Sequence, residues 1–179
     1  MKNLDELRAE LSPEAKDLKL NVQAVLRPGN LSKEQAIGTA LCCAYYMKDA
    51  DLIVALREDA EEEAVPAAFL EDAQAAAAIM GMNAVYYRFR HLMAHAADKP
   101  RTKYETMQPG LRMNRMAQPK SDKGTFELYS VACAALAGCE MCLTNHETSL
   151  LNHGLAEEHV HDAVRIAAAF HGFSVALTL

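Results

Sequence analysis

Two alanine-rich strings lie 90 residues apart in the chain and resemble each other: AAAAIMGMNAV at residues 75–85 and RIAAAFHGFSV at residues 165–175. Their small apolar side chains recur at helical spacing, which favours helices that pack closely together. The helix predicted from Glu34 likewise parallels the helix predicted around Glu127. The sequence therefore predicts an all-α protein, a helical bundle built on a degenerate internal repeat.

Caps and breakers mark where the predicted helices begin and end. Ser12 followed by Pro13 suits the start of a helix, and Ser32 with Gln35 forms a capping box. Gly81 is predicted either to separate two helices or to pack them tightly.

We expect one domain over residues 1–179, with half-repeats at about 30–98 and 125–179. Between them, residues 99–124 are richer in Pro, Gly, Lys, Arg and Met. This segment also holds Leu and Met side chains that could be buried, so it is predicted to be an ordered connecting loop.

The bulk composition limits what the chain can bind. Its 179 residues, 51% of them hydrophobic, suffice for one domain with a real core, and a net charge of −6 argues against nucleic acid or an anionic membrane as partner. No apolar run reaches the length of a membrane span, and the N-terminal MKNLDELRAEL is charged rather than signal-like. We therefore expect a cytoplasmic protein whose five cysteines are reduced at rest.

A C-x-x-C spacing followed by a histidine carries the candidate chemistry. On a helix, Cys139 and Cys142 lie roughly 60° apart and Cys142 and His146 roughly 40° apart, so the three share one face. A thiolate is the reactive form of cysteine, and a free thiol with a pKa of about 8.5 is mostly protonated at neutral pH. A helix that begins just after Gly138 would favour the thiolate through its dipole, and His146 could add to that effect.

Glu127 is the candidate carboxylate partner of His146. One straight helix would place Glu127 about 18 Å from Cys139, so the carboxylate reaches the site only if the chain reverses between them. Gly138 is the predicted break. Two antiparallel helices would then bring Glu127 against His146, and an ionised Glu127 would favour the imidazolium form and, through it, the thiolate.

Other interpretations of these residues remain open at this point. A lone C-x-x-C favours redox chemistry and metal binding about equally, and His146 with His153 would complete four potential zinc ligands. The two cysteines could also simply pack a helix. The remaining cysteines, Cys42, Cys43 and Cys133, are predicted to lie in the core.

The sequence resembles the alkylhydroperoxidase D family, within the carboxymuconolactone decarboxylase-like superfamily. The resemblance rests on AAIMGMNAVYYR, PGLRMN, and FELYS followed by GC-x-x-C-L-x-x-HE, and it covers most of the chain. It implies catalytic roles for Glu127, Cys139, Cys142 and His146, a redox disulfide between the two cysteines, and no bound cofactor or metal. Met141 departs from the family, which often has histidine before the second cysteine.

The resemblance also implies an activity and partners. It suggests an all-helical antioxidant enzyme, a homotrimer or hexamer, that reduces hydroperoxides or recycles a peroxiredoxin with electrons from a lipoyl dithiol on a lipoyl-bearing protein. Two alternatives are a decarboxylase of the carboxymuconolactone type, which gives the cysteines no task, and a non-enzymatic redox sensor.

Overall fold

The computed structural model describes residues 1–95 and 103–179. Within these ranges the chain forms α-helices and two short 3-10 turns, Pro13–Ala15 and Lys103–Glu105, and no strand. The helices are α1 (Lys2–Glu10), α2 (Lys16–Val25), α3 (Lys33–Met47), α4 (Ala50–Glu62), α5 (Ala67–Ala94), α6 (Asn114–Ala117), α7 (Lys123–Ala137), α8 (Glu140–Asn152) and α9 (Glu157–Ala176). The predicted all-α class is confirmed.

Three successive helices in each half follow the same plan. Helices α3 and α7 each have 15 residues, and α4 and α8 each have 13. Each helix of the second half, α7, α8 and α9, begins 90 residues after its counterpart α3, α4 or α5. Even the left-handed residues that end α3 and α7 correspond, Lys48 with φ 61° and Gly138 with φ 60°. This constant offset supports the internal repeat and the single domain that we propose.

Side-chain caps fix the helix starts in both halves. The predicted capping box at Ser32 and Gln35 is confirmed, since each side chain bonds the other's backbone N–H. In the second half, Asp122 accepts from the N–H of Thr125 and caps α7. The prediction for Gly81 is wrong, because α5 runs through it without a break and no other part of the described chain lies within 4 Å of the place its Cβ would take.

Helices α3 and α7 lie at the centre and pack against each other and against α5 and α9. The core includes the fully buried rings of Phe126, Tyr129, Phe170 and Phe173. Gly38 permits the closest approach of α3 to α7, because a Cβ at this position would overlap the hydroxyl of Tyr129. The two halves therefore share one core.

Three free cysteines are buried where α3 and α7 meet, as predicted. The Sγ atoms of Cys42 and Cys133 are 3.4 Å apart, and Cys43 packs against Ala132. The 90-residue offset relates these two contacts, since it carries Cys42 onto Ala132 and Cys43 onto Cys133. Burial raises the pKa of all three thiols.

The segment before α7 is held to α5 by one buried carboxylate. Asp72 accepts hydrogen bonds from Nε of Arg115 at 2.8 Å, from the backbone N–H of Lys120 at 3.2 Å and from the N–H and hydroxyl of Ser121, both at 2.7 Å. Residues 99–102 of the predicted connecting loop lie outside the described residues. None of the helices in residues 1–95 and 103–179 has the length and apolarity needed to cross a membrane.

Candidate active site

The cysteine pair lies at the junction of α7 and α8. Gly138 ends α7 in the left-handed conformation that glycine adopts without strain, and this confirms the predicted break. Cys139 is the N-cap of α8, and its Sγ accepts from the N–H of Cys142 at 3.4 Å. The two cysteines are joined by a disulfide, with their Cα atoms 5.3 Å apart. Both sulfurs therefore lie at the positive end of the α8 dipole.

A small cleft reaches one of the two sulfurs. Its volume is about 170 Å³, and it is lined by Asn83, Tyr87, Met113, Met116, Cys142, Asn145 and His146. Cys139 is fully buried behind it, whereas Cys142 is 4% exposed. A small molecule that enters the cleft therefore meets Cys142 first.

Glu127 and His146 form a buried pair beside the disulfide. Nδ1 of His146 lies 2.5 Å from Oε2 of Glu127, so the predicted contact between these side chains is present. The other carboxylate oxygen, Oε1, lies 2.6 Å from Nζ of Lys123. Burial by itself would raise the pKa of Glu127, but the hydrogen bonds and charges of His146 and Lys123 outweigh it and hold that pKa below its usual range. The carboxylate is therefore ionised at neutral pH, and Nδ1 of the ring is occupied.

The first half lacks the carboxylate, the histidine and both cysteines at the corresponding positions. Ninety residues before Glu127 and His146 stand Ile37 and Leu56, and Asp49 and Leu52 take the places of the two cysteines. A larger cavity, about 450 Å³, opens beside Ile37, but it contains none of the four predicted site residues. Only the second half therefore assembles the predicted constellation.

Zinc ligation by His153 is not favoured by the geometry. His153 is exposed at the end of α8, and its Nδ1 contacts the carbonyl of Ser149 at 2.7 Å. In the part of the chain that the structure describes, no three His, Cys, Asp or Glu side chains lie together in a way that could hold a metal ion. The four-ligand set considered from the sequence is thus not assembled.

Sequence reasoning missed several residues of the site, among them Lys123 and Asn83. Lys123 stands four positions before Glu127, a spacing that places the two side chains together on a helix and could have been noticed. Asn83 lines the cleft and donates to Sδ of Met113 at 3.0 Å, while its buried Oδ1 contacts no hydrogen-bond partner among the described residues. Asn83 is 59 residues from Cys142 in the sequence, and nothing in the local sequence indicates that they meet.

Comparison with protein families identifies the broad class to which the chain belongs. Residues 104–179 match the model of the Carboxymuconolactone decarboxylase family. This match covers α6 to α9, the part of the chain that contains the cysteine pair and the buried Glu127 and His146.

Relatives that match over the full length of the chain identify a more specific family within this class. The chain is 45% identical over 181 residues to "Alkyl hydroperoxide reductase AhpD" of Anaeromyxobacter sp. (strain K), covering 100% of this chain and 92% of the relative. It is 46% identical over 179 residues to the protein of that name from Anaeromyxobacter dehalogenans (strain 2CP-C), with the same coverage. The protein so named from Maricaulis maris is 41% identical over 175 residues, 98% of this chain and 97% of its own. The chain belongs to the AhpD family.

Proposed function

We propose that this protein is an antioxidant thiol enzyme that reduces hydroperoxides with the Cys139–Cys142 dithiol. The observation that carries the proposal is the position of Cys142, at a helix start, on the wall of a small cleft and next to His146. The names of the relatives support an alkyl hydroperoxide reductase activity. We propose Glu127, Cys139, Cys142 and His146 as the catalytic residues.

The proposed reaction consumes two thiols and one hydroperoxide. The thiolate of Cys142 attacks the terminal oxygen of ROOH and the O–O bond breaks, so that Cys142 becomes a sulfenic acid and the alkoxide RO⁻ leaves, taking up one proton to become ROH. The thiol of Cys139 then attacks the Cys142 sulfur, which forms the disulfide and releases water. A lipoyl dithiol reduces that disulfide and is itself oxidised to the cyclic disulfide.

The buried pair supplies the proton chemistry in this proposal. His146 takes the proton of Cys142 and returns it to the leaving alkoxide, and Glu127 fixes the ring through Nδ1 so that Nε2 is available. Met141 cannot take part in proton transfer, so any proton-relay or orienting role of a histidine at this position is absent here.

The physiological partners belong to the same proposal. We expect a lipoyl-bearing protein as electron donor, a peroxiredoxin as a second acceptor of electrons, and assembly into a homotrimer or hexamer in the cytoplasm. Light scattering at micromolar concentration tests the assembly, and a mass of one subunit, about 20 kDa against the 19.6 kDa of the chain, would contradict it.

A dihydrolipoamide-dependent peroxidase assay tests the activity. The reduced protein should turn over a small alkyl hydroperoxide, and Cys142→Ser or Cys139→Ser should abolish sustained turnover. Single Cys-to-Ser variants treated with a sulfenate probe identify the attacking cysteine, which we expect to be Cys142. Cys43→Ala is the matched control, because this buried thiol lies outside the site and its loss should leave turnover unchanged.

The alternatives predict different results in the same experiments. Peroxide reduction that survives loss of both thiols would end the proposal. The matching family is named after a decarboxylase, so this activity is the second candidate. Turnover of a muconolactone after both cysteines are alkylated would favour it. A redox sensor would form the disulfide without sustained turnover in the presence of dihydrolipoamide.

A further inference from the structure

Lys123 contacts two parts of the candidate site at once. Its Nζ lies 2.6 Å from Oε1 of Glu127 and donates to the carbonyl of Met116 at 2.7 Å. The opposite oxygen of the same carboxylate holds His146. Both oxygens of Glu127 are thus fixed by cationic or hydrogen-bonding partners, one on α7 and one on α8.

The position of Lys123 on its helix requires an explanation. It is the first residue of α7, where the helix dipole disfavours a positive charge. Its side chain is 29% exposed, whereas that of Glu127 is 4% exposed. The ammonium therefore does not stabilise the start of α7. Its partners, the Glu127 carboxylate and the Met116 carbonyl, lie toward the interior of the protein.

The contact with Met116 joins Lys123 to the cleft. Met116 belongs to α6 and lines the cleft together with Met113 and the reactive sulfur of Cys142. Lys123 thus connects the wall that a substrate would touch to the carboxylate that holds His146.

The other half supplies a comparison within the same molecule. Lys33 is the first residue of α3 and corresponds to Lys123. It donates to the backbone carbonyl of Glu63 at 3.0 Å and to the Glu63 carboxylate at 3.1 Å. Ile37 stands where the second half has Glu127, so this lysine has no buried acid one turn along its helix.

We propose that Lys123 is a positioning residue that holds the Glu127 carboxylate against His146 and ties the cleft wall to this pair. The proposal deepens the proposed function and rests on it. Without Lys123, one oxygen of a buried carboxylate loses its counter-charge and its fixed direction. The hold on His146 then weakens, and so does the support that His146 gives to the Cys142 thiolate.

The test measures alkylation of the reduced protein by iodoacetamide at neutral pH, with mass spectrometry to follow Cys142. We expect Lys123→Met and Lys123→Gln to slow this alkylation by about as much as Glu127→Gln does, and Lys123→Arg to restore most of the rate. Lys33→Met, the matched control, removes the corresponding ion pair from the other half and should leave the rate unchanged.

A double-mutant cycle separates positioning from mere structural support. If Lys123 acts through Glu127, the Lys123→Met change should have no further effect in a Glu127→Gln background. Additive losses, a wild-type rate in Lys123→Gln, or an equal loss in Lys33→Met would each overturn the proposal. Alkylation needs no peroxide, so a protein that failed the peroxidase assay would refute the proposed function while this test still returned its own answer.

Discussion

Glu127 illustrates how much a single position decides in this molecule. Its carboxylate is buried and held between Lys123 and His146, whereas the corresponding residue of the first half, Ile37, needs no polar partner. A buried carboxylate is stable as an ion only when hydrogen bonds and opposite charges replace its water. Glu127 is therefore held in the candidate site by its contacts with Lys123 and His146.

Replacement of Glu127 by Gln tests this arrangement. The amide has the same shape, so we expect the fold to persist, but Nδ1 of His146 no longer contacts a carboxylate and the negative charge beside the ring is lost. Alkylation of Cys142 should then be slower at neutral pH, and the midpoint of its rise with pH should move upward. Glu34→Gln is the control, since Glu34 is an acid in the first turn of α3 and does not line the cleft that contains Cys142. Equal behaviour of the two variants would show that the charge of Glu127 has no specific effect on Cys142.

Tyr129 gives a second prediction for a single residue. Its hydroxyl is buried against Gly38, contacts no hydrogen-bond partner among the described residues, and has its pKa raised well above the usual range by burial. An unpartnered buried polar group costs about 1–3 kcal/mol, so Tyr129→Phe should keep or raise the free energy of unfolding in urea. A clear loss of stability in this variant would show that the hydroxyl has a favourable interaction.

Residue spacing predicted part of this site and could not predict the rest. Glycine at position 138 and the distance from Glu127 to His146 indicated a reversal and a contact, because helix geometry alone limits which side chains can meet. Asn83 and Met113 enter the cleft from parts of the chain far from the cysteines. Their position depends on how whole helices pack, which local periodicity does not contain.

At the level of elements, the continuity of α5 shows where packing outweighs local preference. A glycine inside a helix costs about 1 kcal/mol relative to alanine, and Gly81 is exposed. The same helix buries Ala77, Met80 and Ala84. Burial of these side chains against α3 and α7 exceeds the cost of one glycine, so the helix continues.

We expect Asp72 to stabilise the segment before α7, which forms part of the cleft wall. Asp72→Asn would leave Arg115 without its short ion pair and weaken the bonds to residues 120 and 121, so we expect a loss of about 2 kcal/mol or more in unfolding free energy. Hydrogen exchange of residues 113–121 should increase in parallel. Glu71→Gln is the control: this exposed neighbour pairs with Lys120 and Arg115, and surface pairs of this kind contribute roughly 0–1 kcal/mol. Similar exchange in the two variants would contradict this role for Asp72.

At the level of the whole molecule, two of the buried carboxyl groups, those of Asp72 and Glu127, should make the free energy of unfolding depend on pH. Burial raises the pKa of Asp72 and of Glu127, but hydrogen bonds and cationic neighbours lower both by more, to below the usual range. Groups with a depressed folded pKa add stability above their unfolded value, about pH 4, and lose it as pH falls through the folded pKa. We therefore expect the free energy of unfolding to decrease as the pH drops below about 4. The decrease should be less steep in Glu127→Gln and Asp72→Asn than in the wild type. Parallel curves for all three would rule out this contribution.

The internal repeat explains why the fold could be predicted from the sequence more completely than the site. Alanine-rich strings, caps and breakers recur at a fixed offset, and each copy predicts the same helices independently. The proposed site residues stand in one copy only, with a buried acid and histidine where the other copy has apolar residues. A repeat thus indicates the scaffold, while function lies where the copies differ.

The three buried thiols between α3 and α7 make the opening of the molecule measurable by chemistry. Cys42, Cys43 and Cys133 are fully shielded, so a thiol reagent labels them only in molecules whose central helices have separated. With the Cys139–Cys142 disulfide intact, no other cysteine of the five competes for the reagent. The labelling rate then measures how often the native structure opens, as slow amide hydrogen exchange does in other proteins.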